Sequence, residues 1–170
     1  SNAFCENDNI SIKHRVFYPH SLGILYTAIC NYLGFVNYGE EYKMMGLAAY
    51  GKPIYYEKIK ENLFKKNKDN FELNLDYFNH HRNDYRYIAD ENLIIDQIFS
   101  NKLIELFDKE IKCAENEDVF KKNFASSVQK VYEFFFNKIL KDIISKNFSQ
   151  NLVFSGGCAL NSTANRILTD

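Results

Sequence analysis

Two stretches of this sequence combine residue types that can hold a polar or anionic ligand. The first is Asn151-Leu152-Val153-Phe154-Ser155-Gly156-Gly157-Cys158-Ala159-Leu160-Asn161. A short apolar run meets a glycine pair and small, helix-forming residues follow, which reads as strand, tight turn and helix start. Glycines at such a turn let the main chain bend sharply and come close to a ligand, because no Cβ blocks the approach. N–H groups at a helix start are unpaired and carry partial positive charge, so the turn can hold an anionic group. Asn161 and Asn165 are one helical turn apart and share a face, and small Ala159 leaves room beside them. The competing reading is a strand–helix junction whose glycines serve packing alone.

The second stretch is Gly39-Glu40-Glu41-Tyr42-Lys43-Met44-Met45-Gly46-Leu47-Ala48-Ala49-Tyr50-Gly51-Lys52-Pro53. Three glycines and the Gly-Lys-Pro ending predict a compact, irregular loop with at most a short helix inside it, and loops of that kind commonly carry function. Glu41 can accept hydrogen bonds from ribose-type hydroxyls and Lys43 can meet a phosphate. A solvated surface pair accounts for the same two residues. His80 and His81 are adjacent, and on an extended chain adjacent side chains point to opposite sides, a poor arrangement for chelating one ion. His20, beside a helix start, has a structural reading and a ligand-contacting one. Four cysteines, Cys5, Cys30, Cys113 and Cys158, are far apart with no CxxC pair. That argues against a zinc site or a disulfide framework and for reduced thiols in a cytoplasmic protein. Cys158 stands out because a helix start lowers a thiol's pKa; a small packing residue is the simpler reading.

These residues need elements to position them. Arg15-Val16-Phe17-Tyr18 is β-prone and closed by Pro19. From Leu22 to Leu33 apolar residues recur at helical spacing, with Ser21 as N-cap and Gly34 just past the end. Residues Ile54 to Lys68 read as a basic helix, and Phe71 to Phe78 alternates like a half-buried strand. Leu93 to Glu110 reads as a helix with Leu93, Ile94, Ile98, Leu103, Leu106 and Phe107 inward. A longer helix begins near Glu117, carrying Phe120, Phe124, Val128, Val131, Phe135, Ile139 and Ile143 on one stripe. Ala125-Ser126-Ser127 makes one flank of it slim, so another element can pack closely there.

The chain has 170 residues, enough for one domain, with an ordinary balance of 46% hydrophobic and 25% charged residues. A formal net charge of −1 removes any bulk electrostatic case for nucleic acid, and no apolar run is long enough to span a bilayer. Ser1-Asn2-Ala3 reads as an expression-tag scar and is set aside.

Three stretches taken in order resemble the nodulation-type and antibiotic-tailoring O-carbamoyltransferases. They are Pro19 to Tyr26 with Leu33-Gly34-Phe35, Gly39 to Ala48 with Tyr50-Gly51, and Asn151 to Asn161 with Asn165. Phe71 to Phe78 and Ala125-Ser126-Ser127-Val128-Gln129 fit the same pattern. The resemblance implies an α/β fold: one lobe of an actin-like ATPase (ribonuclease H-like) domain, a mixed sheet with packed helices and a helical insertion. It implies that residues 4–170 are a partial N-terminal domain, the nucleotide-binding lobe, truncated at its C-terminal side and inactive without the remainder of its own chain. The activity implied converts carbamoyl phosphate and ATP into carbamoyl-adenylate. The carbamoyl group then passes to a hydroxyl of a sugar or secondary metabolite, with a divalent metal, iron or magnesium, whose ligands lie outside this stretch.

By the same resemblance, Gly156, Gly157, Ala159 and Asn161 belong to the nucleotide-binding wall, and Glu41, Lys43 and Gly46 approach the nucleotide from elsewhere in it. No catalytic residue is expected within the chain. Two departures are modest: Ala49 stands where the family often has proline, and Cys158 where valine is common. The alternatives are a lobe of a sugar-kinase-like or heat-shock-type ATPase, and a non-catalytic scaffold domain.

Overall fold

The computed structural model describes residues 1–65, 71–82, 87–90, 92–146, 149 and 151–168. Helix α5 (Glu117–Ser145) is the spine, 29 residues long. Asn116 starts it by accepting a hydrogen bond from the Val119 N–H at 2.9 Å, and Glu117 and Asp118 in its first turn suit the positive end of the helix dipole. Its stripe of Phe120, Phe124, Val128, Val131, Phe136 and Leu140 is buried. Phe135 is half-buried and stacks on Phe64 with ring centroids 4.2 Å apart.

Helix α1 (Leu22–Tyr32) begins as its sequence predicts, with the Ser21 hydroxyl accepting from the N–H groups of Gly23 and Ile24. It ends at Gly34, whose φ of +93° is left-handed and favours glycine. Leu25, Ala28 and Ile29 are fully buried. Helix α2 (Glu41–Ala48) occupies most of the stretch expected to be an irregular loop, since a single Gly46 is tolerated inside a helix that also offers Met, Leu and Ala. Helix α3 (Tyr56–Leu63) follows, shorter than expected; residues 66–68 of that expectation lie outside the described residues.

The slim flank of α5 is used as its composition suggests. Ala125 and Ser127 are fully buried, and the chain after α2 lies against them. Asn123 Oδ1 accepts the Lys52 N–H at 2.8 Å, and Ser127 Oγ accepts the Tyr55 N–H at 3.0 Å while donating to the Asn123 carbonyl. Gly51 makes this contact possible: a β-carbon there would stand 2.0 Å from the Lys122 carbonyl oxygen. Helix α4 (Asn101–Cys113) closes the other side, with Leu103 and Phe107 fully buried. Phe107 meets Phe124 edge to face at 4.7 Å.

Among the described residues, strands pair as three separate two-stranded antiparallel sheets rather than as one mixed sheet. These are β1 (Asn2–Glu6) with β2 (Asn9–His14), β3 (Phe64–Lys65) with β4 (Glu72–Leu73), and β5 (Tyr87–Asp90) with β6 (Asn92–Ile95). The first hairpin turns at Asn7 and Asp8, both at positive φ, the pair that twisted two-residue hairpins favour. It includes Asn2 and Ala3, and the β-prone Arg15–Tyr18 run lies just beyond it, outside any strand.

Other differences have local causes. The stretch from Phe71 keeps only β4, because Asn74 Oδ1 accepts the Asp76 N–H and turns the chain into a short 3₁₀ segment, Leu75–Tyr77. The helix expected from Leu93 starts instead at Asn101. Residues 98–100 are extended and bonded to a distant segment, the Asn79 N–H donating to the Ile98 carbonyl and the Ser100 N–H to the Tyr77 carbonyl. The strand expected over residues 151–155 is absent: Leu152 and Val153 are exposed, and no other described strand lies beside them to complete a ladder.

Gly51→Ala is expected to destabilise the chain by about 2–3 kcal/mol, the upper range for a methyl forced into packed structure, since the opposing atom is backbone. A urea melt of the variant against the parent measures it.

Candidate functional site

Residues 156–165 form a short, tightly tied segment on the surface of α5. Gly156 has φ +96°, a backbone conformation that side-chain-bearing residues rarely adopt. A 3₁₀ turn, Gly157–Leu160, follows, and only then the four-residue helix α6 (Ser162–Asn165), so the helix does not start directly at the glycines. The Ala159 N–H closes the turn on the Gly156 carbonyl at 2.9 Å. Gly156 and Gly157 are exposed, and a β-carbon built on either meets nothing within 4 Å.

Asn161 lies underneath, 8% exposed. Its Oδ1 accepts the Ala164 N–H at 3.0 Å and caps α6. The same oxygen accepts from Gln129 Nε2 at 3.0 Å, and Asn161 Nδ2 donates to Gln129 Oε1 at 3.1 Å. Gln129 Oε1 also accepts from the Tyr26 hydroxyl at 2.9 Å, and its Nε2 also donates to Glu133 at 2.8 Å. Tyr132 donates from its hydroxyl to the Cys158 carbonyl at 3.1 Å, and Asn165 Nδ2 donates to the Ala159 carbonyl at 2.7 Å. Burial pushes the Tyr26 and Tyr132 hydroxyls far above the usual phenol range, so both stay protonated and both stay donors.

Helix α2 reaches the same place from the side. Ser162 Oγ lies 3.6 Å from Met45 Sδ, next to exposed Gly46. Glu41 is fixed to α1, its Oε1 accepting from the Thr27 hydroxyl at 2.8 Å. Lys43 is ion-paired with Glu40, which also accepts from the Asn37 main chain at 3.1 Å and side chain at 3.0 Å. An open depression beside the turn is lined by Ser162, Thr163, Asn165 and Arg166.

Gln129, Tyr132 and Tyr26 were not singled out as site residues from sequence. The signal available was a glutamine at a buried phase of an otherwise apolar stripe. The histidines do not join the site. His20 Nδ1 accepts the Leu73 N–H at 3.2 Å, and buried His80 bonds through Nε2 to the Pro19 carbonyl at 2.8 Å. Cys158 is free and half-buried, like the other cysteines in having no disulfide. Among the described residues no three His, Cys, Asp or Glu side chains converge as a metal site requires, so a donor set for a divalent metal is not found among them. No helix among them is long and apolar enough to cross a membrane.

Compared with known proteins, the chain matches the family described as carbamoyltransferase N-terminus over residues 2–170. The chain belongs to that family. It is also 33% identical over 162 residues to an uncharacterized protein of Synechocystis sp., an alignment that covers 94% of this chain and 24% of that protein. The chain thus spans about a quarter of the length of the curated relative it matches. Membership supports carbamoyl transfer as the general chemistry of the family.

One electrostatic feature of this family member is directly measurable. Hydrogen bonds from Lys43 and Asn37 hold the Glu40 carboxyl down at about 2, against an ordinary 4.5. Because the folded value lies below the unfolded one, the contribution to stability is complete above 4.5 and is lost as the pH falls through about 2. In Lys43→Ala the Glu40 carboxyl is expected to titrate higher, though still below 4.5 because Asn37 continues to donate. An NMR titration of the Glu40 side-chain carbon reads both values.

Proposed function

We propose that the chain is the nucleotide-binding part of an O-carbamoyltransferase, built as one lobe of an actin-like ATPase domain. It works with carbamoyl phosphate, ATP and a hydroxyl-bearing sugar or secondary metabolite. Water hydrolyses carbamoyl phosphate to carbamate and phosphate, a carbamate oxygen then displaces pyrophosphate from the α-phosphorus of ATP, and carbamoyl-adenylate results. The acceptor hydroxyl then attacks the carbonyl and releases AMP and a proton. This chain's own part is to bind and orient the adenosine and phosphates. The exposed main chain at Gly156 and Gly157 faces the phosphates, Ala159 leaves space, Asn161 and Glu41 hold polar groups of the nucleoside, and Lys43 and Gly46 line the approach from α2. Catalytic and metal-holding groups come from the rest of the protein, so the chain alone does not turn over; the setting is the cytoplasm.

The observation that carries this reading, beside family membership, is glycine without a structural need. Gly46 is exposed within α2 and Gly157 is exposed at the turn, neither has a positive φ, and a β-carbon at either meets nothing within 4 Å. A helical Gly46 costs stability relative to alanine, by about 0.8–1.0 kcal/mol. Open main chain at both places suits close approach by a ligand.

Gly46→Ala is therefore expected to raise stability by up to about 1 kcal/mol, and Gly157→Ala to leave it unchanged. Each is expected to weaken ATP binding by about tenfold, the loss when one close contact worth about 1.4 kcal/mol is blocked. Calorimetric titration with ATP and urea melts measure the two effects. Unchanged ATP binding in both variants overturns the reading. In the full-length protein, phosphate, pyrophosphate and AMP are the expected products; ADP as the sole nucleotide product points to a kinase.

A further inference from the structure

We infer that Gln129 is a positioning residue of the nucleotide site: its carboxamide, gripped by Tyr26 and Glu133, fixes the Asn161 carboxamide and through it the Gly156–Asn161 turn. The inference rests on the nucleotide reading above and adds to it a residue that does not itself touch the ligand.

A primary carboxamide has two N–H donors and two acceptor lone pairs. Gln129 uses all four, with Tyr26 and Asn161 on Oε1 and Asn161 and Glu133 on Nε2. The Glu133 carboxylate only accepts, so it fixes which end of the Gln129 amide faces it. On the other partner, the Ala164 N–H only donates, so it fixes Asn161 Oδ1. Both amides therefore have one permitted orientation. Asn161 has Ala164 and Gln129 on Oδ1 and Gln129 on Nδ2, and its amide also reaches the Tyr26 hydroxyl, so Tyr26 and Gln129 hold it together.

Burial makes the grip strong. Gln129 is 5% and Asn161 8% exposed, and a buried amide that loses its partner bears the full desolvation penalty. The partners come from separate elements: Tyr26 from α1, Gln129 and Glu133 from α5, Asn161 from the segment leading into α6. Tyr132, one turn along α5, secures the same turn through the Cys158 carbonyl. Tyr26 also packs edge to face on Tyr132 at 5.5 Å.

The test uses the purified chain with ATP as the probe. Gln129→Leu keeps much of the volume and removes every polar contact; it is expected to weaken ATP binding by about tenfold. Tyr26→Phe deletes one hydroxyl and keeps the ring; it is expected to weaken binding about threefold, and it carries the test if Gln129→Leu does not fold. Gln129→Glu supplies a readout that a purely structural residue would not move. Its carboxyl, facing Glu133, Tyr26 and the Asn161 oxygen, with Cys30 and Glu41 behind Tyr26 and Cys158 beside Tyr132, lacks a donor when ionised and regains one when protonated. ATP affinity relative to the parent, measured at each pH, is therefore expected to be low near about pH 8 and to recover toward about pH 5.5. A parent chain that does not bind ATP overturns the nucleotide reading and the inference together. Binding by the parent with equal binding by Gln129→Leu, or by Tyr26→Phe where the former does not fold, overturns the inference alone. A flat relative pH profile for Gln129→Glu also overturns it.

Discussion

The paired carboxamides of Gln129 and Asn161 are to the C-terminal turn what a sheet is to an ordinary strand–turn–helix junction. A glycine pair that follows a strand inherits its placement from the ladder. Here residues 151–155 have no ladder, and Leu152 and Val153 are exposed. The turn is therefore anchored from below, by two amides that satisfy each other inside the protein and by one tyrosine hydroxyl on the Cys158 carbonyl. Because both amides are buried, letting go leaves polar atoms without partners. The turn can thus be open to solvent above and still be specified in position.

That anchoring works only if the spine beneath it is stiff. Helix α5 gains its rigidity from aromatic contacts on several sides: Phe107 and Tyr55 against Phe124, and Phe136 against Phe154. The slim flank at Ala125 and Ser127 lets the main chain after α2 come within hydrogen-bonding distance, and Gly51 is the residue that this closeness requires. Large side chains on one flank and small ones on the other divide the tasks. The aromatic side fixes the helix in the core, and the small side lets the chain around α2 pack closely, with Met45 of α2 meeting Ser162 beyond the glycine turn.

The sequence made the helices readable wherever their own residues determine them. Ser21 and Gly34 bracket α1, and Asn116 with the long apolar stripe announces α5, because capping and periodicity are local. The strand readings fared less well because strands are completed by partners. Spacing alone assigns residues 98–100 to a helix, whereas they belong to an extended pairing with residues 77–79. Residues 151–155 have a strand's composition without a neighbour. At the site, the open glycines were legible from type alone, whereas Gln129 was visible only as part of a family-like run. Its importance comes from Tyr26, which stands 103 positions away in sequence, and no spacing rule connects the two.

The site also separates what is held from what can move. Asn161 is locked by three internal hydrogen bonds, and Glu41 is tied to Thr27 across the gap between α1 and α2. Lys43 differs: its partner Glu40 lies on its own short segment, and the lysine end of the pair is exposed, where water and salt screen the attraction. Under the proposed function, a phosphate offers Lys43 a second negative partner without requiring any buried group to be uncovered. Asn37 continues to satisfy Glu40 when the lysine leaves. On that proposal, the groups that recognise shape are built into the core, and the group that meets charge is left on a surface tether. That division matches a ligand with a rigid nucleoside at one end and a mobile polyanion at the other.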